Sequence, residues 1–294
     1  MKIAIFGQFY KNDTAPIVKK VIETLQTYNV EIIFEKSFLE TLWQNHLITE
    51  KFSTFSNHLD LDENIFAIIS IGGDGTILKA ATLIRNKNIP IVGVNAGRLG
   101  FLATIQYDNI EVLFSKLIKK EFYVSKRSLL SVSTNKEENI FTELNFALNE
   151  VTVARKDTTS MITITTHLNQ EYLTSYWADG LIISTPTGST GYSLSCGGPV
   201  IMPSVNAFVI TPMAPHNLNA RPLVIPDNLE IRLKISGREN YFLVSLDARI
   251  QTVSNETEII INKSPFTINV IEFKEESFLN TLRKKLLWGE DKRN

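Results

Sequence analysis

The first third of the chain alternates between short, continuous apolar runs and stretches in which apolar residues recur at helical spacing. The continuous runs occupy residues 3–6, 30–34, 65–70 and 91–94. Each predicts a buried strand, and Ile17, Val21 and Leu25, spaced by four, predict a helix over 14–28. Strands that are apolar throughout and separated by helices favour a parallel sheet covered on both faces. We assign no element to the polar segment 36–60.

Beyond about residue 122 the apolar period changes to two. The stretches "MITITTH" (161–167) and "LEIRLKI" (229–235) alternate apolar with polar side chains, and similar stretches follow at short spacings up to "FTINVIEF" (266–273). Such alternation is typical of half-exposed antiparallel strands. A last helix is predicted at 277–288, where Ser277 is placed to cap the first turn.

These patterns predict two closely packed domains. The first is an α/β domain with a parallel sheet, formed by residues 1–121 together with a C-terminal helix within 277–294. The second, residues 122–276, is a β-rich, antiparallel β-sandwich-like domain. A length of 294 residues is sufficient for two such cores.

Composition excludes several classes of protein. Hydrophobic residues make up 44% and charged residues 21%, and the formal net charge is −1, so bulk charge gives no case for nucleic acid or anionic membrane as a partner. No run approaches the roughly 18 apolar residues that a membrane-spanning helix needs. One cysteine, Cys196, allows no intramolecular disulfide. We expect a cytoplasmic protein.

The stretch "IISIGGDGTILKA" (68–80) joins a predicted strand to a predicted helix. Gly72, Gly73 and Gly75 allow close backbone approach, and a loop at a helix N-terminus points its amides at an anion. Asp74 lies in the middle and would repel a phosphate, so it needs a different role. The alternative is that Asp74 only caps the helix.

Two shorter stretches carry weaker signals. In "NAGRLGFLA" (95–103), Arg98 could face an anion, although a plain turn is the better interpretation. Asn149 and Glu150 precede an alternating strand, where an amide suits a base edge and a carboxylate suits ribose hydroxyls. An exposed polar pair is the structural alternative for both residues.

The stretch "ADGLIISTPTGSTGYSLSCGGPV" (178–200) is the most specific signal. Its strand is followed by a loop rich in Thr, Ser and Gly with few charges, which suits a nucleotide. Cys196 within it is interpreted as a packed side chain, since no histidine is close in sequence. The four histidines, at positions 46, 58, 167 and 216, have no metal-ligand spacing, and we assign no protein ligand to a metal.

Taken together, five motifs resemble those of the NAD kinase family over nearly the whole chain. They are GGDGT (72–76), NE (149–150), the 178–199 stretch, TPMAPH (211–216) and SLD (245–247). The resemblance implies an N-terminal α/β domain, a C-terminal β-rich domain, and a homodimer or homotetramer. It also implies phosphorylation of the adenosine ribose 2′-hydroxyl of NAD to NADP, with ATP as the usual donor and a divalent cation, Mg²⁺.

The same resemblance implies roles for individual residues. Asp74 would be the catalytic base, while Gly72, Gly73 and Gly75 would leave space and amides for the donor's phosphates. Lys79 would belong to the cofactor-binding residues. Asn149 would read the adenine and Glu150 the ribose diol, and Asp179 would bind the nicotinamide half. The remaining residues of the dinucleotide site would be Thr190, Gly191, Tyr192, Ser193, Leu194, Ser195 and Ala214.

Three positions depart from the family pattern. Lys79 stands where Arg or His is frequent, Trp177 where a basic residue is frequent, and Arg249 where Gln is frequent. Two other functions are compatible with parts of the pattern. A lipid kinase shares GGDG-type loops but would need an apolar cleft or a membrane-binding face. A catalytically silent dinucleotide-binding module would not need Asp74.

Overall fold

The computed structural model describes residues 1–9, 14–97, 99–136, 141, 143–156 and 160–287. The chain separates into two compact units. Unit 1 comprises Met1–Lys126 and Ile268–Asn294, and unit 2 comprises Arg127–Thr267.

The helices in the described residues are α1 (Thr14–Thr27), α2 (Lys36–Gln44), α3 (Asp74–Ile84), α4 (Ile110–Ile118), α5 (Tyr192–Ser195) and α6 (Phe278–Leu286). The strands are β1 (Lys2–Gly7), β2 (Glu31–Glu35), β3 (Ser53–Phe55), β4 (Ile65–Gly72), β5 (Ile91–Asn95), β6 (Tyr123–Arg127), β7 (Leu130–Thr134), β8 (Phe146–Ala147), β9 (Glu150–Arg155), β10 (Ile162–Leu168), β11 (Glu171–Ala178), β12 (Gly180–Ser184), β13 (Ala207–Met213), β14 (Leu223–Pro226), β15 (Ile231–Ser236), β16 (Tyr241–Leu246), β17 (Arg249–Ser254), β18 (Ile259–Lys263) and β19 (Ile268–Glu272).

Unit 1 is built on a seven-stranded sheet in the order β3-β2-β1-β4-β5-β19-β6. Among the first five strands, the pairs β1–β2, β1–β4, β2–β3 and β4–β5 are all parallel, which confirms the predicted parallel sheet. In the β4–β5 pair, Gly72 lies opposite Asn95 at the carboxyl ends of the two strands. The turn after β4 and the loop after β5 therefore leave the same edge of the sheet side by side.

The strands and the first helix predicted from apolar runs are confirmed, while two details differ. The unassigned segment 36–60 contains α2, which Glu35 caps through the amides of Ser37 and Phe38, and the three-residue strand β3. β3, with three residues, is too short to show a period, whereas α2 does carry apolar residues at helical spacing, Phe38, Leu39 and Leu42. α6 begins at its predicted cap, where Ser277 accepts from the Asn280 amide at 3.3 Å; residues 288–294 of the predicted helical segment lie outside the described residues.

The structure also differs from the sequence-based boundary at residue 276. β19 was assigned to the β-rich domain because its pattern alternates, yet it pairs in parallel with β5 through Val270 and Ile91. Alternation of apolar and polar side chains shows that one face of a strand is partly exposed, but it does not identify the sheet that the strand joins.

Unit 2 contains two six-stranded sheets, ordered β11-β10-β15-β18-β7-β8 and β14-β13-β12-β9-β16-β17. Their pairs are antiparallel, as predicted, for example β9 with β12 and β10 with β15. Val151 and Ile183 of one sheet share a single hydrophobic core with Ile164 and Leu233 of the other, which gives a β-sandwich-like unit. Among the described residues, no helix has the length and apolarity to cross a membrane.

Candidate functional site

The turn between β4 and α3 can only be built with glycine at its first position. Gly72 has a φ of 156°, and a Cβ there would lie 2.1 Å from Thr76 Oγ1. By contrast, a Cβ at Gly73 or Gly75 would meet nothing within 4 Å. The second and third glycines therefore leave open space beside the backbone at the start of α3, where helix amides attract anions.

Asp74 is the first residue of α3, but its carboxylate is not a cap for that helix. Oδ2 accepts from the Phe101 amide at 2.8 Å, and Oδ1 accepts from the amides of Leu102 and Ala103 at 2.9 and 3.0 Å. A carboxylate offers about four lone-pair positions, so about one acceptor position is left. Asp74 is thus a partly buried, firmly oriented carboxylate with capacity for one further donor.

The loop that holds Asp74 was interpreted from the sequence as a plain turn, and that interpretation is incomplete. Gly100 lies so close to Asp74 that a Cβ would stand 2.0 Å from Oδ1. α6 contacts the same loop, since Lys285 Nζ donates to the Leu99 carbonyl and the rings of Phe101 and Phe278 are 6.2 Å apart. The two glycines after β5, Gly97 and Gly100, were the sequence signal for a loop that approaches another segment closely. Arg98 lies outside the described residues.

Lys79 lies on α3, with its side chain exposed. It extends from the same helix as Asp74, about one and a half turns further along. This position is compatible with a role toward an anionic ligand, and that role stays a prediction.

In unit 2, Asn149 and Glu150 lie against the loop that follows β12. A Cβ at Gly188 would stand 2.0 Å from the Asn149 carbonyl oxygen, and one at Gly191 would stand 3.1 Å from Glu150 Oε2 and 3.4 Å from Asn149 Nδ2. Thr185 holds the two segments together, since its amide and hydroxyl donate to the carbonyls of Asn149 and Leu148. Glycine is therefore required at position 188, where a Cβ would meet backbone, while a Cβ at position 191 would displace the ends of the two side chains.

Two acceptors of this pair are buried without a partner. Within the described part of the chain, Asn149 Oδ1 and Glu150 Oε2 have neither solvent exposure nor a hydrogen bond. A buried polar atom without a partner costs about 1–3 kcal/mol, which a ligand carrying donors would recover.

Electrostatics single out Glu150. Burial, and secondly the negative charge of Asp247, raise the pKa of Glu150 from its ordinary 4.5 to about 7, against a backbone hydrogen bond from Tyr192 that lowers it. A carboxyl group that titrates near neutrality in a glycine-lined recess is a frequent mark of a functional site.

Asp247, identified in the sequence only as part of SLD, is the residue that holds the Asn–Glu pair. Its carboxylate accepts from the amides of Leu148, Asn149 and Glu150 at 3.0, 2.8 and 3.2 Å. Its side chain is only 6% exposed and faces Arg249 Nη2 at 3.7 Å. Burial raises the pKa of Asp247, while the three amides and the guanidinium oppose that rise.

The predicted residues of the 178–199 stretch divide between outward and inward faces. Tyr192 and Ser195 are exposed, and Thr190, Gly191 and Leu194 are partly so. Ser193 faces inward: its buried hydroxyl lies 2.8 Å from Thr211 Oγ1. The Ser193 side chain therefore supports the loop, and what it can offer a ligand is backbone.

Asp179, Ala214 and Tyr192 lie close together. The Asp179 amide donates to the Met213 carbonyl, next to Ala214, and the negative charge of Asp179 is one of the minor causes that raise the pKa of Tyr192, after partial burial. The Asp179 carboxylate also receives Arg155, with Nε 3.0 Å from Oδ1 and Nη2 3.3 Å from Oδ2. Sequence reasoning missed Arg155.

Trp177 is one of the three residues that depart from the family pattern, and its side chain is half-exposed on β11. Its ring centroid lies 4.3 Å from that of His216, whose amide donates to the Trp177 carbonyl. In the described residues, no group of three or more His, Cys, Asp or Glu side chains is placed to hold a metal ion.

An accessible carboxylate in a glycine turn, and a hydroxyl- and glycine-rich loop around unsatisfied acceptors, indicate a nucleotide-binding enzyme of the kinase class. The family models for the ATP-NAD kinase N-terminal and C-terminal domains match residues 3–122 and 148–273. The NAD kinase of Flavobacterium psychrophilum is 60% identical over 294 residues, covering all of both chains. The chain belongs to the NAD kinase family.

Solved structures agree with this assignment. A crystal structure of an NAD kinase from Archaeoglobus fulgidus in complex with ATP matches with a TM-score of 0.77 at 27% identity, covering 98% of this chain and all of that one. The yeast NADH kinase complexed with NADH matches with a TM-score of 0.86 over 99% of this chain and 88% of the other. At 23% identity the yeast match shows the fold.

Proposed function

We propose that this protein phosphorylates the 2′-hydroxyl of the adenosine ribose of NAD, giving NADP, with ATP as phosphoryl donor. The observation that carries the proposal is the pair of buried, unsatisfied acceptors, Asn149 Oδ1 and Glu150 Oε2. Adenosine supplies the donors that such a pair lacks, an exocyclic amine and ribose hydroxyls. The relative from Flavobacterium psychrophilum, identical at 60% of positions, is named an NAD kinase.

Recognition of NAD is assigned to unit 2. Asn149 would accept from the adenine amine and donate to a ring nitrogen, and Glu150 would accept from the ribose diol. Asp179 and Ala214 would contact the nicotinamide half, with Arg155 fixing the orientation of Asp179. The loop residues assigned to the dinucleotide are Thr190, Gly191, Tyr192, Ser193, Leu194 and Ser195.

The chemistry is assigned to the Asp74 turn in unit 1. Asp74 would take the proton of the 2′-hydroxyl as its oxygen bonds to the γ-phosphorus and the bond from that phosphorus to ADP breaks. The three amides that hold the carboxylate support this role, since a positioned base needs no reorientation. The open space at Gly73 and Gly75 and the charge of Lys79 suit the phosphates of ATP.

A divalent cation is part of the proposal. Mg²⁺ is usually held by substrate phosphates and water together with one or two carboxylates. Because the one acceptor position left on Asp74 is assigned to the 2′-hydroxyl, the phosphates of ATP would supply the ligands of the cation. The cation would neutralise phosphate charge beside Asp74. ATP as donor is supported by the Archaeoglobus fulgidus structure, which contains ATP.

A coupled assay tests the proposal directly. Purified protein is incubated with NAD, ATP and Mg²⁺, and NADP is measured with an NADP-specific dehydrogenase; parallel reactions replace NAD with diacylglycerol or omit Mg²⁺. We expect NADP only in the complete reaction. Phosphorylated diacylglycerol would identify a lipid kinase, and NAD binding without turnover would identify a silent binding module.

We also propose a cytoplasmic homodimer or homotetramer, without nucleic acid or membrane as a partner. The near-neutral charge supports the absence of nucleic acid and anionic membrane as partners, and the single cysteine fits a reducing compartment. The oligomer is what the resemblance to the NAD kinase family implies. Sedimentation equilibrium of the pure protein measures the oligomer, and a monomer at micromolar concentration would contradict it.

A further inference from the structure

Arg249 contacts the segment that directly precedes the Asn149–Glu150 pair in the chain. Its Nη1 and Nη2 atoms donate to the carbonyls of Leu144 and Phe146, just before the pair in the chain. The guanidinium also lies 5.5 Å from the Phe146 ring centroid. A planar guanidinium with several donors can make these contacts at once, which glutamine, the residue frequent here in the family pattern, cannot.

The Asp247 carboxylate, which faces Arg249, also holds the backbone of the pair. Asp247 accepts from the three consecutive amides of Leu148, Asn149 and Glu150, and the Asp247 amide donates back to the Glu150 carbonyl. A nearly buried carboxylate needs a countercharge, and Arg249 supplies it from 3.7 Å. The backbone of the pair is therefore fixed from both sides.

The fixed backbone carries two side-chain acceptors, those of Asn149 and Glu150. Asn149 Oδ1 and Glu150 Oε2 are buried and, within the described residues, accept no hydrogen bond. A positioned backbone is then the means by which these two acceptors keep a geometry suited to a ligand.

We propose that Arg249, acting through Asp247 and the carbonyls of Leu144 and Phe146, is a positioning residue for NAD recognition. The inference rests on the proposed function, because it takes Asn149 and Glu150 to contact NAD. In this role Arg249 acts through these groups and does not itself bind NAD. Its removal should weaken ground-state and transition-state binding of NAD equally, and should leave the reaction of bound NAD nearly unchanged.

The test uses full-length protein with Arg249→Gln and Arg249→Lys, and steady-state kinetics with NAD and ATP varied separately. For Arg249→Gln we expect KM for NAD to rise about tenfold, with kcat and KM for ATP within about twofold, because a weakened hydrogen bond to a charged group lowers affinity by about that factor in ground and transition states alike. Arg249→Lys restores the charge beside Asp247 but not the fork to two carbonyls, so its KM should rise about threefold.

A merely structural role predicts a different result. Partial unfolding lowers the active fraction, and hence kcat, without moving KM for NAD. That pattern, or a wild-type KM in folded Arg249→Gln, overturns the inference; if Arg249→Gln does not fold, a wild-type KM in Arg249→Lys overturns it. Arg232→Met is the matched control, since Arg232 is similarly exposed and pairs with Glu230.

Calorimetric titration of wild-type protein with NAD separates this inference from the function on which it rests. Absence of NAD binding to the wild type would contradict the proposed function. Wild-type binding, with equal NAD affinity in a folded Arg249→Gln variant, would contradict only the role of Arg249.

Discussion

The two units each hold one carboxylate with three consecutive backbone amides. In unit 1, Asp74 accepts from residues 101–103, and in unit 2, Asp247 accepts from residues 148–150. The hydrogen-bond lengths are alike, between 2.8 and 3.2 Å. Hydrogen bonding alone therefore does not distinguish a carboxylate with a chemical role from one with a structural role.

Access and countercharge make the difference. Asp74 lies beside glycines with open space and, within the described residues, forms no ion pair. Asp247 is almost fully covered and faces Arg249. Under the proposed function, Asp74 would be presented to the substrate, and Asp247 would position the neighbouring residues Asn149 and Glu150.

The largest effect is expected for Asp74→Asn. The amide keeps the size of the side chain but cannot take the proton, so kcat should fall about 10²–10⁴-fold while calorimetry still detects NAD binding. Asp60→Asn is the matched control, because Asp60 also accepts from two backbone amides of unit 1, those of Ser56 and Asn57, at an exposed position. A near-normal kcat in Asp74→Asn would exclude it as the base.

Asp247→Asn should act on stability. It leaves Arg249 partly buried without a countercharge and weakens three hydrogen bonds, at a cost of about 3 kcal/mol in the free energy of unfolding. Asp74→Asn also weakens three hydrogen bonds but breaks no ion pair among the described residues, so it should cost less, about 1–2 kcal/mol. Urea unfolding of both variants measures the difference, and equal losses in the free energy of unfolding would contradict the distinction between the two carboxylates.

The proton on Glu150 provides a pH test. Its pKa of about 7 lies above the ordinary 4.5, so its contribution to stability is full below about pH 4.5 and is lost as pH rises through 7. Glu150→Gln cannot ionise and should match the wild type in acid, then exceed it by up to about 3 kcal/mol near pH 8. Urea unfolding between about pH 5 and pH 8 measures the difference. Exposed Glu239 gives the control Glu239→Gln; a pH-independent difference for Glu150→Gln would contradict the raised pKa.

Gly100→Ala tests whether the loop positions Asp74. The new Cβ would stand 2.0 Å from Asp74 Oδ1, so the carboxylate must move, and kcat should fall about 10²-fold. Gly97→Ala, in the same loop, adds a Cβ with nothing within 4 Å and should retain wild-type kcat. Equal kcat values in the two variants would show that the orientation of Asp74 does not limit the reaction.

Asp179 is held by a side chain, Arg155, rather than by amides, and is expected to bind rather than react. Asp179→Asn should raise KM for NAD about tenfold with little change in kcat, since a charged hydrogen bond is lost equally in ground and transition states. Glu256→Gln, which removes the exposed pair with Lys136, is the control. A loss confined to kcat would place Asp179 in the chemical step.

Much of unit 1 was predictable because its signals are local. The apolar runs that became β1, β2, β4 and β5 and the spacing of Ile17, Val21 and Leu25 each report burial of one element. Elements that are short or joined at a distance were missed or misplaced. α2 depends on a cap at Glu35, and β19 depends on pairing with β5 across the whole of unit 2 in sequence.

The sequence by itself determined the chemistry-bearing residue types and their local settings: a carboxylate among glycines at 72–75, an amide beside a carboxylate at 149–150, and a loop of hydroxyls and glycines after β12. Only the tertiary structure decided which groups hold them. The amides of 101–103, Asp247, Arg249 and Arg155 reach their partners through strand pairing between segments distant in the chain. Every residue type except proline has a backbone amide, so the sequence does not show which amides will hold a carboxylate. That is decided only when strand pairing brings the two segments together.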